Sequence, residues 1–121
     1  MKKILVVDDQ QKVRELVEVT LRGDDYQILQ AKSGEEAVET AKLQKPDLII
    51  MDITMPGGMD GLKATNIIKN DESTKDAKII ILSAKGQDVD KVKGREAGAD
   101  DYFSKPFSPL DLIKKVEEVL G

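Results

Sequence analysis

Four short apolar runs in this 121-residue sequence stop beside residues able to do chemistry. Ile4-Leu5-Val6-Val7 gives way to Asp8 and Asp9, Leu48-Ile49-Ile50-Met51 to Asp52, and Ile79-Ile80-Ile81-Leu82 to Ser83. The fourth, Tyr102-Phe103, is followed by Lys105 and Pro106. Each residue alone has an ordinary explanation. Asp8 or Asp9 suits the cap of a following helix, Asp52 a turn, Ser83 another cap and Lys105 a solvated charge. Three carboxylates converging on one place are harder to explain in that way. Within about 4–6 Å they repel one another unless a cation sits between them. A hard divalent ion meets that need, and Mg²⁺ favours a few carboxylates plus waters and a substrate phosphate.

The residues that are missing narrow the chemistry further. There is no Cys and no His, which excludes disulfides, zinc sites, Ser-His-Asp triads and thiol nucleophiles. A metal here has to take oxygen ligands, which points to Mg²⁺, Mn²⁺ or Ca²⁺. Hydrophobic residues make up 40% and charged residues 35%, an ordinary soluble composition rather than a disordered one. The net charge of −4 argues against nucleic acid as the main partner, since a phosphate backbone demands basic patches. Met1-Lys2-Lys3 runs straight into an apolar stretch too short for a signal peptide or a membrane span, so a cytoplasmic, non-membrane protein is expected.

The elements that must position these residues alternate along the chain. Strand candidates are Ile4–Val7, Tyr26–Ala31, Leu48–Met51, Ile79–Leu82 and Tyr102-Phe103. Three of them are apolar on both faces, as a sheet covered by helices on each side requires. Between them, helical spacing links Val13, Leu16, Val17, Thr20 and Leu21, then Ala37, Val38 and Ala41, then Leu62, Ala64, Ile67 and Ile68. A weaker stripe joins Val89, Val92 and Ala97, and a strong one Leu110, Ile113, Val116 and Leu120. Ser33-Gly34-Glu35-Glu36 reads as a capping box, and Ser108-Pro109 as a cap followed by proline at the first helical position. Five β-α units of this kind predict a doubly wound α/β domain with a five-stranded parallel sheet. The flavodoxin-like order 2-1-3-4-5 is the expectation at this size, and ligands in such folds bind at the carboxyl ends of the strands. In that order the strands ending at Asp8-Asp9, Asp52, Ser83 and Lys105 are consecutive neighbours. The stretch after the second strand, Ala31-Lys32-Ser33, reads as a plain helix cap. Residues 1–121 are expected to form one domain with no room for an output domain.

These residues carry a resemblance over the whole chain to the response-regulator receiver family, often called CheY-like. The matching motifs are Val7-Asp8-Asp9, Pro46-Asp47-Leu48-Ile49-Ile50-Met51-Asp52, Met55-Pro56, Met59-Asp60-Gly61, Ser83-Ala84, Gly98-Ala99 and Lys105-Pro106-Phe107. The resemblance implies that Asp52 is phosphorylated by a histidine kinase or a histidine phosphotransfer protein. It implies that Asp8 or Asp9, Asp52 and the carbonyl of Thr54 hold Mg²⁺. It also implies that Ser83 and Lys105 contact the phosphoryl oxygens, that Tyr102 is the switch aromatic, and that the Lys105-Pro106 peptide is cis. A domain of this family acts on itself rather than as an enzyme in the usual sense, and is expected here as a monomer addressing a downstream protein. Phosphoryl transfer needs mostly positioning and charge neutralisation, which such a set of groups supplies.

Two features depart from the family's pattern or tune it. Gly57 and Gly58 stand where the family has a single residue between the Met-Pro and Met-Asp-Gly pairs, so that loop is one residue longer. Thr54 and Lys85 occupy the positions that in the family guard the attacking water. Neither carries a carboxylate or amide to orient it, so an acyl phosphate lasting minutes rather than seconds is expected. A haloacid-dehalogenase-like phosphatase also uses Asp, Mg²⁺ and Lys, but needs a second Asp two places after its nucleophile. Position 54 is Thr. An interaction module without phosphorylation would have no use for all five site residues, and neither a P-loop nor a GxGxxG supports a nucleotide binder.

Overall fold

The structure, a computed structural model, describes residues 1–23, 25–55, 58–84 and 88–121. Pro56, Gly57 and Lys85, and with them the extra loop glycine and half of the water-guarding pair, lie outside the described residues. Ten elements alternate: β1 (Lys2–Val7), α1 (Gln11–Leu21), β2 (Tyr26–Ala31), α2 (Gly34–Gln44), β3 (Leu48–Asp52), α3 (Gly61–Lys69), β4 (Lys78–Ala84), α4 (Asp88–Glu96), β5 (Asp101–Lys105) and α5 (Pro109–Leu120). The five strands are parallel and ordered β2-β1-β3-β4-β5, as expected.

Period-two alternation along the strands divides the core in two. Leu5, Val7, Ile49, Met51, Ile79 and Ile81 face one side, where Ala37, Ala41, Ala64 and Ile68 of α2 and α3 cover them. Ile4, Val6, Leu48, Ile50, Ile80 and Leu82 face the other, against Val17, Leu21, Leu112 and Val116 of α1 and α5. The three central strands are apolar on both faces for this reason. Ser33 caps α2 by accepting the Glu36 amide at 3.1 Å, and Ser108 caps α5 by accepting that of Asp111 at 3.1 Å. Asp60 does the same for α3, accepting from the Lys63 amide at 2.9 Å.

The fourth helix differs from its expected stripe. Val89 and Val92 are 54% and 53% exposed, pointing away from the sheet. The helix instead lays Asp90, Gly94 and Ala97 inward, a face with i, i+4, i+7 spacing. Gly94 lets it lie close, for a Cβ there would stand 3.2 Å from Ile81 Cγ1. Leu16 and Leu110 are also exposed, and α5 buries Leu112, which the expected stripe omits.

Candidate functional site

The carboxyl ends of β1, β3 and β5 bring together the groups singled out above. Asp52 is the last residue of β3 and Lys105 the last of β5, while Ser83 sits one residue before the end of β4. Carboxylate oxygens of Asp8, Asp9 and Asp52 all lie within 4.8 Å of one another. Asp8 is fully buried and Asp52 only 4% exposed, whereas Asp9 is exposed. Lys105 Nζ lies 3.0 Å from Asp8 Oδ2 and 3.2 Å from Asp52 Oδ1. The Lys105-Pro106 peptide is cis.

The local explanations for Asp8, Asp9 and Lys105 fail. Neither Asp8 nor Asp9 is the N-cap of α1: that position is Gln10, which makes no side-chain cap. Asp8 Oδ1 instead accepts from the Gln10 amide at 2.9 Å. Arg14, one turn into α1, donates to the Asp8 carbonyl at 2.7 Å and so ties the helix to the strand end. Lys105 is an ion-pair partner rather than a solvated charge. Burial works against its ammonium, but the Asp8 hydrogen bond and the charges of Asp52 and Asp8 outweigh this and hold its pKa above the ordinary lysine value. Burial, reinforced by the charge of Asp8, pushes the Asp52 carboxyl up from 3.8 to about 6, against the opposing pull of Lys105 and a backbone hydrogen bond from Thr54.

Thr54 is exposed and, with Asp9, Asp52 and Lys105, lines the polar side of a cleft of about 710 Å³. Its other wall is apolar and includes Val13, Leu16, Pro106 and Phe107. Three carboxylates face one ammonium here, so a hard cation fits the excess negative charge and the all-oxygen donor set. Ser83, 1% exposed, is turned away from this cluster. Its Oγ lies 2.9 Å from Asp90 Oδ2, 3.2 Å from the Ala84 carbonyl and 3.2 Å from the Tyr102 hydroxyl.

Arg14, Gly61 and Asp90 belong to the surroundings of the site without having been singled out. Gly61 opens α3 against the backbone of Asp52, where a Cβ would stand 2.0 Å from the Asp52 carbonyl oxygen. Its Met59-Asp60-Gly61 motif is a sequence signal for it. Arg14 and Asp90 carry none, because their contacts with Asp8 and Ser83 are set by how a helix is rotated against the strand end.

A parallel sheet in this order, with an acidic, ammonium-flanked cleft at its carboxyl edge, defines a flavodoxin-like domain of the CheY type. The chain belongs to the response regulator receiver domain family, whose model matches residues 4–117. It is 42% identical over 119 residues to the phosphate regulon transcriptional regulatory protein PhoB of Pseudomonas aeruginosa, covering 98% of this chain and 52% of that protein. The chain thus spans about half the length of the curated relatives it matches. Among solved structures, a putative response regulator from Chloroflexus aurantiacus is similar with a TM-score of 0.93 and 39% identity, over 98% of this chain and 97% of that one. The receiver domain of the sensor histidine kinase PA1611 from P. aeruginosa, with a magnesium ion coordinated in its active site cleft, has a TM-score of 0.89 and 32% identity, over 99% and 98% of the two chains. Receiver domains are signalling modules of two-component systems that interact with histidine kinases, not classical enzymes, and they bind Mg²⁺ in an acidic pocket. Among the described residues no helix is long and apolar enough to cross a membrane.

Proposed function

We propose that this domain is a phosphorylation switch whose acceptor is Asp52. The observation that carries the reading is the burial of Asp52 beside two other carboxylates and within 3.2 Å of the Lys105 ammonium. With its pKa raised only to about 6, Asp52 is mostly ionised at pH 7, as a nucleophile must be. A carboxylate oxygen of Asp52 forms the new P–O bond while the P–N bond to the donor's histidine breaks. The donor is a histidine kinase or a histidine phosphotransfer protein.

Asp8 or Asp9, with Asp52 and the Thr54 carbonyl, would hold Mg²⁺, which supplies positive charge to offset that of the phosphoryl oxygens. Lys105 offsets a further charge, and Ser83 donates a hydrogen bond to the phosphoryl group. Ser83 leaves its present partners to do so, and Tyr102, bonded to it here, changes position with it. The signal then emerges at the face formed by α4, β5 and α5. The domain hydrolyses its own acyl phosphate in time. Its partners on this reading are the phosphodonor and a downstream protein target, and the domain works as a cytoplasmic monomer.

The negative net charge supports protein rather than nucleic-acid contacts for residues 1–121. PhoB-type relatives are named transcriptional regulators, but that name belongs to proteins about twice as long. Incubation with acetyl phosphate and Mg²⁺ tests the reading. Intact mass should rise by one phosphoryl group, and Asp52→Ala should show no gain. Undiminished labelling of that variant would remove Asp52 from the mechanism.

A further inference from the structure

The orientation of α4 is unusual on hydrophobic grounds. The helix exposes Val89 and Val92 to water and turns the Asp90 carboxylate toward the sheet. Rotating it by roughly a third of a turn would bury a valine and solvate the carboxylate, the ordinary preference of both side chains. Besides the inward Gly94, one polar contact favours the arrangement, from Asp90 Oδ2 to the Ser83 hydroxyl at 2.9 Å. Ser83 is 1% exposed and Asp90 half-buried, so water reaches this bond only from the Asp90 side.

A serine hydroxyl has one proton to donate. An ionised carboxylate can only accept, so the proton in the Ser83–Asp90 pair lies on Ser83 Oγ and points at Asp90. Tyr102, 3.2 Å away, is then the donor to Ser83 Oγ rather than its acceptor. A phosphoryl oxygen on Asp52 can likewise only accept. Ser83 therefore cannot serve both: its proton goes to Asp90 or to the phosphoryl group. We infer that Asp90 is a positioning residue that competes with the phosphoryl group for the single Ser83 proton, opposes the phosphorylated state, and lets α4 go when it loses that contest.

Three elements change together on this account. When Ser83 turns to the phosphoryl group, the half-buried Asp90 carboxylate on α4 loses its Ser83 donor, and the Tyr102 hydroxyl on β5 loses its contact with Ser83. The charge-assisted bond is the strongest of the three that Ser83 gives up, the others being to the Ala84 carbonyl and the Tyr102 hydroxyl. Asp90 thus sets how readily the domain takes up phosphate as well as what moves afterwards.

The inference rests on Asp52 being the phosphoryl acceptor, and a double-mutant cycle separates the two ideas. Initial rates of phosphoryl uptake from acetyl phosphate with Mg²⁺ are compared for the wild type, Asp90→Ala, Ser83→Ala and the double variant. Asp90→Asn, of the same shape but uncharged, covers the case in which the alanine variant folds poorly. Asp90→Ala should label roughly three- to tenfold faster than the wild type, the span of one hydrogen bond's net worth, with Asp90→Asn between them. In the Ser83→Ala background, removing Asp90 should change nothing. In the unphosphorylated protein, Asp90→Ala should also shift the Tyr102 ring resonances. Equal rates in wild type and Asp90 variants overturn the inference and leave Asp52 phosphorylation standing. So does an acceleration that persists without the Ser83 hydroxyl, which would make Asp90 a matter of helix stability alone. A wild type that takes up no phosphate at Asp52 overturns both readings.

Discussion

At the scale of single residues, the site is a place where charge is stored at a cost. Asp8 and Asp52 are both buried, and Lys105 can satisfy only part of their combined charge. Asp52 has a higher pKa folded, about 6, than its ordinary 3.8. Its protonated form fits the fold at low pH, and that advantage is lost as pH rises through 6, where the folded protein must hold the ionised form. That rise corresponds to roughly 3 kcal/mol at most. Asp52→Asn should therefore be more stable than the wild type at pH 7.5 without Mg²⁺, by several degrees in thermal melting. The gap should close as pH falls from 6 to 4. A constant gap across that range would show that burial of the Asp52 charge is not its source. This division of labour was only partly legible beforehand. The sequence places Asp8 and Asp9 together at a strand end, but not which is sealed under Lys105 and which faces solvent. That choice depends on the path of β5, some 97 positions away.

At the scale of elements, the strands were legible and the helix faces less so. Central strands buried on both sides are unbroken apolar runs, and Ile4–Val7, Leu48–Met51 and Ile79–Leu82 are found within β1, β3 and β4. A helix reveals its buried face only if its apolar residues are the buried ones. That holds for α1 through Val17 and Leu21 and fails for α4, where a glycine and a carboxylate take the inner side. Gly61 shows a related limit. Its place in a motif marks it, but the reason for it is the Asp52 carbonyl, 2.0 Å from where a Cβ would stand. Backbone against backbone leaves no flexible side chain to yield, so Gly61→Ala should cost roughly 2–4 kcal/mol in urea unfolding. Its labelling at Asp52 should fall as well, because α3 and the acceptor strand must part. Gly23→Ala is a suitable control, since among the described residues nothing lies within 4 Å of the added carbon. Equal stability of the two variants would mean that the β3–α3 junction adapts without cost.

Across the whole molecule, the fold gathers carboxylates that repel one another, and a bound cation should repay the protein in stability. Mg²⁺ that binds only the folded chain stabilises it by mass action, about 2.7 kcal/mol at a hundredfold excess over the dissociation constant. The melting temperature should therefore climb with Mg²⁺ concentration, and Asp9→Ala should flatten that climb while keeping the cooperative transition. An unchanged dependence in the variant would exclude Asp9 from the metal. The ion pair between Lys105 and Asp8 has a different consequence. It joins chain positions 97 apart, so the ammonium and Asp8 lie far from each other along the polypeptide. A chain cut after Ala84 leaves Asp8, Asp9, Asp52 and Ser83 on one piece and Lys105 on the other. The first piece carries the acceptor but exposes β4, whose pairing with Asp101–Lys105 it has lost. Neither piece alone should take up phosphate. Mixed together, or tethered to two proteins that meet, they should recover labelling as the last strand re-pairs with β4. The domain would then serve as a split reporter in which a covalent mark on Asp52 records that two polypeptides have met.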